Sequence, residues 1–184
     1  MKRGLFLFTF IGLLFAGTAI AQESDNKITI VKYSDYQCPA CKYFVPIEEQ
    51  LVEEYGNEIE IVTKHFPLTM HEHAQLASRA VEAARKQGKY HEMHDMVFEG
   101  QGQWARGNAE GTFIGYAKSL DLDVNQFRED LNSADTQKIV MEDKQEGTDL
   151  NVNSTPTFFI NGEKLERNPR TLAAFKAIID KYRE

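Results

Sequence analysis

The spacing of apolar positions changes several times along the chain, and each change marks an element. Lys27-Ile28-Thr29-Ile30-Val31-Lys32-Tyr33 is rich in β-branched residues and apolar at nearly every position, which predicts a buried central strand. Further on the spacing lengthens. Phe44, Ile47, Leu51 and Tyr55 recur three or four residues apart, so a helix is expected from Pro39 to about Tyr55, closed by Gly56-Asn57. Pro46 lies inside it and cannot donate to the Lys42 carbonyl, so a kink is expected there. A second strand, Glu58 to Phe66, carries Ile59, Ile61 and Val62 and stops at Pro67.

From Met70 to about Leu150 the pattern is helical throughout. Ala74, Ala77, Val81 and Ala84 make one apolar face, closed by Gly88. Tyr90, Met93, Val97 and Phe98 make the next, ended by Gly100-Gln101-Gly102, and Phe113, Ile114, Ala117 and Leu120 a third. Asp123 caps a fourth, with Gln126 at the capping-box position and Phe127 and Leu131 buried; a fifth begins near Asp135 with Ile139 and Val140. Strand character then returns. Thr157 to Ile160, the turn Asn161-Gly162, and Glu163 to Leu165 read as a hairpin with a primed turn. Asn168-Pro169 opens a last helix with Leu172, Phe175, Ile178, Ile179 and Tyr182 inward. The order β-α-β, a helical insertion of about 80 residues, then β-β-α predicts one α/β domain, without repeats or low-complexity segments.

The first 21 residues stand apart from this pattern. Lys2 and Arg3 precede an apolar run from Leu5 to Ala16, and Ala19-Ile20-Ala21 has the small-x-small form of a signal-peptide cleavage site. The expected division is a signal peptide at 1–21 and a domain at 22–184, exported to the periplasm or outside the cell; an uncleaved anchor is the alternative. About 163 mature residues suffice for a core without staples. The formal net charge of −7 argues against nucleic acid or an anionic membrane as partner.

The chain holds 2 cysteines, Cys38 and Cys41, in one Cys-x-x-Cys where the first strand turns into the first helix. Cys38 would be the N-cap and Pro39 the first helical residue, where a missing N–H costs nothing. Cys41 returns beside Cys38 after nearly one turn. The unpaired first-turn amides face the Cys38 sulfur and favour its anion, which lowers a thiol pKa from ~8.5 into the range of roughly 3.5–7.5. This predicts a redox-active dithiol; a structural disulfide or half of a zinc site are the alternatives. With no further cysteine, the short-loop bond is the only disulfide available in an oxidising compartment. His65, His71, His73, His91 and His94 lack the spacing of helical zinc enzymes, so no metal is expected. His91 and His94 read as solvated helix residues, or a surface metal contact, and His65 as a residue near enough to tune the cysteines. Trp104 reads as a packing plug under a loop.

Cys38-Pro39-Ala40-Cys41-Lys42 with Pro46 beyond it, the preceding Asp35-Tyr36-Gln37, and Asn153-Ser154-Thr155-Pro156-Thr157 leading into Phe158-Phe159-Ile160-Asn161-Gly162 together resemble the DsbA-like branch of the thioredoxin superfamily. The resemblance covers essentially the whole mature chain. It implies a thioredoxin-like fold with a mixed parallel and antiparallel sheet, Thr155-Pro156 in a cis bond facing Cys38, and substrate peptide paired there as an added strand. It also implies catalysis by Cys38 and Cys41 without a cofactor. The partners implied are exported proteins with free thiols and a membrane redox partner that resets the site, with the protein a monomer. Net dithiol oxidation is the expected direction; a reductase or isomerase, or a non-catalytic binding or chaperone-like module, are the alternatives. The sequence departs from its relatives at Lys32, where they carry a buried carboxylate, and at Ser154 and Asn151, where many have glycine. Lys32 either favours thiolates from a buried position or reaches solvent; with Pro39 and Ala40 between the cysteines it is a candidate tuning residue.

Overall fold

The computed structural model describes residues 27–183, so the expected signal peptide lies outside the described residues. The long β-branched stretch forms β1, Ile28–Ser34, and the next apolar run β2, Ile59–His65. They pair in parallel from Ile28 opposite Ile59 to Ser34 opposite His65. Parallel neighbours need a crossover, and helix α1, Pro39–Tyr55, supplies it. β3, Thr157–Ile160, pairs antiparallel on the other edge of β1, and β4, Glu163–Lys164, pairs with β3, giving the order β2-β1-β3-β4. The hairpin turn has φ of 48° at Asn161 and 82° at Gly162, the primed geometry expected of Asn-Gly.

Because β1 is central, its alternate side chains face two different cores. Ile28 and Ile30 pack with Phe44 and Leu51 of α1, Phe158 of β3 and Phe175 and Ile179 of the last helix, α8, Leu172–Ile179. Tyr33 faces the opposite side and packs with Phe66, Val152 and Phe159. Between β2 and β3 run α2, Ala74–Arg85; α3, Tyr90–Glu99; α4, Gln101–Trp104; α5, Ala109–Ser119; α6, Val124–Leu131; and α7, Ala134–Asp149. The alanines of α2 let neighbouring helices approach closely, around a third core that includes Val97, Phe98, Trp104, Phe113 and Phe127. Both cysteines and Tyr36 belong to this insertion core, so the insertion packs directly on the motif. α7 lies against the sheet at Gly147, where a Cβ would come within 2.8 Å of Tyr33 and Phe66.

Gly100 caps the end of α3, as the sequence predicts, and a separate short helix, α4, follows at once. Three local expectations are corrected. Asp123 caps α6 by accepting from the backbone amides of Asn125 and Gln126, but no capping box forms, because the Asp123 N–H donates to Gln87 Oε1 and the Gln126 side chain turns to Asp130. α8 begins at Leu172 under a Thr171 cap, not at Asn168-Pro169, since Asn168 donates to the Pro156 carbonyl. The second strand is shorter than Glu58 to Phe66, because Gly56–Glu58 continue as a 3-10 turn. α1 runs as one helix through Pro46. Among the described residues, no helix is long and apolar enough to cross a membrane.

Candidate active site

The strand-to-helix turn sets the geometry of both sulfurs. Cys38 is the N-cap of α1 and Pro39 its first helical residue, as the sequence predicts. A turn in which the Cys38 amide donates to Asp35 O (3.1 Å) aims the Cys38 side chain out of the helix start. Both cysteines are free thiols; Cys38 keeps 7 % of its surface exposed and Cys41 none. The pair is therefore asymmetric. A hydrogen bond from the Cys41 thiol lowers the Cys38 pKa to about 5 against the opposing effect of burial, helped by the Thr155 side chain and the backbone amides of Cys41 and Ala40. Burial pushes the Cys41 thiol well up, and the adjacent Cys38 adds to it. The Asp35 amide donates to Cys41 Sγ at 3.4 Å.

Across from the motif, Thr155-Pro156 is a cis peptide, and Cys38 Sγ donates to Thr155 O at 3.5 Å. Thr155 Oγ1 is buried without an oxygen or nitrogen partner, which leaves its hydroxyl free for the Cys38 anion. Thr155, Pro156 and Ala40 share one open groove beside the sulfur. Cys38, Cys41, Ala40, Thr155 and Pro156 are thus brought together.

The thiol asymmetry has a measurable consequence for stability. An ordinary thiol titrates at 9.0 and folded Cys38 at about 5, so its contribution is complete above 9 and disappears as pH falls through 5. At pH 7 part of it is present in the reduced form, and the oxidised form has none of it. Urea denaturation of both forms at pH 7 and pH 4 should show the reduced form losing stability relative to the oxidised form at the lower pH, by roughly 1–3 kcal/mol after solvent screening. A pH-independent difference would overturn the assignment of the anion to Cys38.

Lys32 does not reach solvent. It is fully buried and its Nζ lies 2.6 Å from Glu48 Oε2 of α1. In this buried pair the strand supplies the ammonium and the helix the carboxylate. Burial raises the Glu48 pKa by more than the Lys32 ammonium lowers it.

Several residues that frame the motif carried no role in the sequence reading. Asp35 is fully buried and accepts from the amides of Gln37 (2.7 Å) and Leu68 (2.8 Å), and its Oδ2 lies 2.8 Å from His71 Nδ1. Gln101 donates to the carbonyls of Tyr36 (2.7 Å) and Cys38 (3.0 Å). Tyr36 is bonded to His94 Nδ1 (2.8 Å), and Gln37 accepts from the His73 amide (2.7 Å). The insertion and the loop leading into it hold the backbone just ahead of Cys38.

His94 is therefore not a solvated residue. Burial, with nearby Lys32 and other cationic groups, lowers its pKa to about 3. His65 is also buried, but its Nε2 pairs with Glu82 Oε1 at 2.8 Å rather than with a cysteine. Trp104 is buried as expected, but from helix α4, with Nε1 donating to Val97 O. Among the described residues, no cluster of three or more His, Cys, Asp or Glu side chains is placed to hold a metal.

This arrangement matches known proteins along nearly its whole length. A family model described as "Thioredoxin" matches residues 18–181. A thioredoxin-like oxidoreductase from Silicibacter pomeroyi superposes with a TM-score of 0.73 at 24 % identity, covering 86 % of this chain and 88 % of that one. Wolbachia pipientis alpha-DsbA1 superposes with a TM-score of 0.74 at 22 % identity, covering 85 % of each chain. A stretch of 142 residues is 40 % identical to part of a Na(+)/H(+) antiporter NhaA 1 from Salinispora arenicola, covering 76 % of this chain but 21 % of that protein. The chain spans about a fifth of the length of the curated relatives it matches. With the sheet order, the motif at the helix start and the Thr155-Pro156 loop in place, the chain belongs to the thioredoxin family.

Proposed function

We propose that this chain is an exported protein dithiol-disulfide oxidoreductase that introduces disulfides into other exported proteins. The observation that carries the proposal is the asymmetry of the pair: an acidic Cys38 at the helix end beside Thr155-Pro156, and a shielded Cys41 beneath it. In the oxidised form, a client thiolate attacks Cys38 Sγ, the Cys38–Cys41 bond breaks, and Cys41 leaves as a thiolate that takes up a proton. A second client thiolate then attacks the client sulfur of the mixed disulfide and releases the Cys38 thiolate. Two electrons pass from the client dithiol to the motif, with no cofactor. A membrane-bound thiol oxidant would remove them again.

Direction follows from the leaving group. Whatever lowers the Cys38 pKa stabilises the reduced motif, which makes the disulfide more oxidising. Pro39 and Ala40 supply no side-chain donor to the thiolate, so a potential between about −270 and −120 mV is expected. Export rests on the basic, apolar and small-residue order of residues 1–21 and places the mature protein, from Gln22, in the periplasm or outside the cell as a monomer.

The test is to add oxidised protein to a reduced client that needs several disulfides. Free thiols should disappear in step with reduction of Cys38–Cys41, and a scrambled client should be rescued poorly. Efficient unscrambling with little net oxidation, or a potential at or below −270 mV, the value typical of thioredoxin, would overturn the direction.

A further inference from the structure

The groove beside Cys38 differs in charge from the rest of this acidic chain. It is a cavity of about 660 Å³ between the first turn of α1 and the segment that follows β4. Ala40, Tyr43, Thr155 and Pro156 line it on the cysteine side, and Arg167 and Arg170 on the other. No carboxylate lines it; Glu166, next to Arg167 in sequence, is exposed and lies outside the lining. Both arginines are exposed, and neither takes part in an ion pair within the described residues, whereas Arg85 pairs with Glu82 and Arg183 with Glu58 and Asp180.

The segment that carries them is fixed. Asn168 Nδ2 donates to Pro156 O at 2.6 Å, and Tyr43 Oη donates to Arg170 O at 2.7 Å. Pro169 between them is buried. The backbone from Asn168 to Arg170 is thereby tied both to the Thr155-Pro156 loop and to α1, and two unpaired guanidinium groups stand along one side of the groove.

We infer that Arg167 and Arg170 select client segments with an acidic side chain beside the reacting cysteine. The inference rests on the oxidoreductase reading above and names the substrate class of that site. A client segment laid along Thr155-Pro156 in extended form turns alternate side chains toward opposite sides, so one next to the cysteine points along the groove. Guanidinium is suited to bidentate pairing with a carboxylate. A lysine at that client position would meet two like charges with no counter-ion in the lining.

The test uses two single-cysteine peptides of one sequence, with aspartate or with lysine flanking the cysteine. Each is reacted with oxidised protein while loss of the Cys38–Cys41 bond is followed by thiol labelling and mass analysis. Flanking charge alters a peptide's own thiol reactivity, so each rate is divided by that peptide's rate with an uncharged small disulfide. The normalised rate should be about three- to tenfold higher for the acidic peptide, and the preference should fade at high salt. In the doubly substituted Arg167→Glu, Arg170→Glu protein the preference should invert. Because it is a ratio measured within one protein, partial loss of folded molecules does not mimic this. Equal normalised rates for the two peptides, or a preference unchanged in the double variant, overturn the selectivity and leave the oxidoreductase reading standing. Failure of both peptides to open the disulfide overturns both.

Discussion

Replacing Cys38 with alanine is expected to reduce disulfide transfer to the uncatalysed background, while replacing Cys41 with alanine leaves the attacking sulfur in place. Exchange runs through a thiolate, and the only sulfur both lowered in pKa and partly exposed is Cys38. Without Cys41, a mixed disulfide at Cys38 loses the thiol that resolves it from within the motif. Cys41→Ala should therefore accumulate protein-sized adducts on non-reducing gels, and Cys38→Ala should form none. Equal trapping by the two variants would overturn the roles, and full activity of Cys38→Ala would favour a binding module in place of an enzyme. Cys38 touches Thr155 across the groove and Cys41 touches the Asp35 amide beneath it, so the two losses act on different neighbours.

The largest expected loss of stability lies away from the sulfurs, at Glu48. Glu48→Ala should destabilise the protein by roughly 3–5 kcal/mol, because it leaves the Lys32 ammonium buried without its counter-ion. The nearest alternative support is the face of Phe98, 5.6 Å from Lys32 Nζ, which replaces a carboxylate poorly. The pair itself need not be strongly stabilising: burial already raises the Glu48 pKa despite Lys32, and Glu48 Oε1 has no hydrogen-bond partner. Substituting both members together, Lys32→Met with Glu48→Leu, should therefore be close to neutral or mildly stabilising. Urea denaturation of the oxidised forms measures both. A loss under about 1 kcal/mol for Glu48→Ala would mean that water reaches Lys32 once the carboxylate is gone.

Much of this could be read from short-range pattern. β1 and α1 follow from β-branched density and a three-to-four residue spacing, and the place of Cys38 as N-cap follows from Pro39 beside it. Asn161-Gly162 specified its turn because positive φ at two successive positions suits few residue pairs. Other signals were present but concealed by residue type. Glu48 continues the Cys41, Phe44, Leu51, Tyr55 stripe and is buried with it. His94 lies between Tyr90 and Phe98 at four-residue spacing and packs against both rings. A charged or titratable residue on an apolar stripe is a buried one when a partner exists, and the stripe does not name the partner.

The element order and the dithiol at a helix start were legible in the chain because each depends on neighbours within a few residues, whereas the Thr155-Pro156 loop was recognised only through the family resemblance. Tertiary structure decided which polar groups meet. Lys32 pairs with a residue 16 positions away, His65 with one 17 away, and Asp35 with His71, 36 away. It also decided that the insertion grips the backbone ahead of Cys38, and that Arg167 and Arg170 flank the same groove as Thr155-Pro156. The physical reason is that hydrogen bonds and ion pairs act over a few ångströms and leave no period in the sequence. Buried polar groups must find partners once the apolar faces have packed, and where those faces bring the chain determines which partners are within reach.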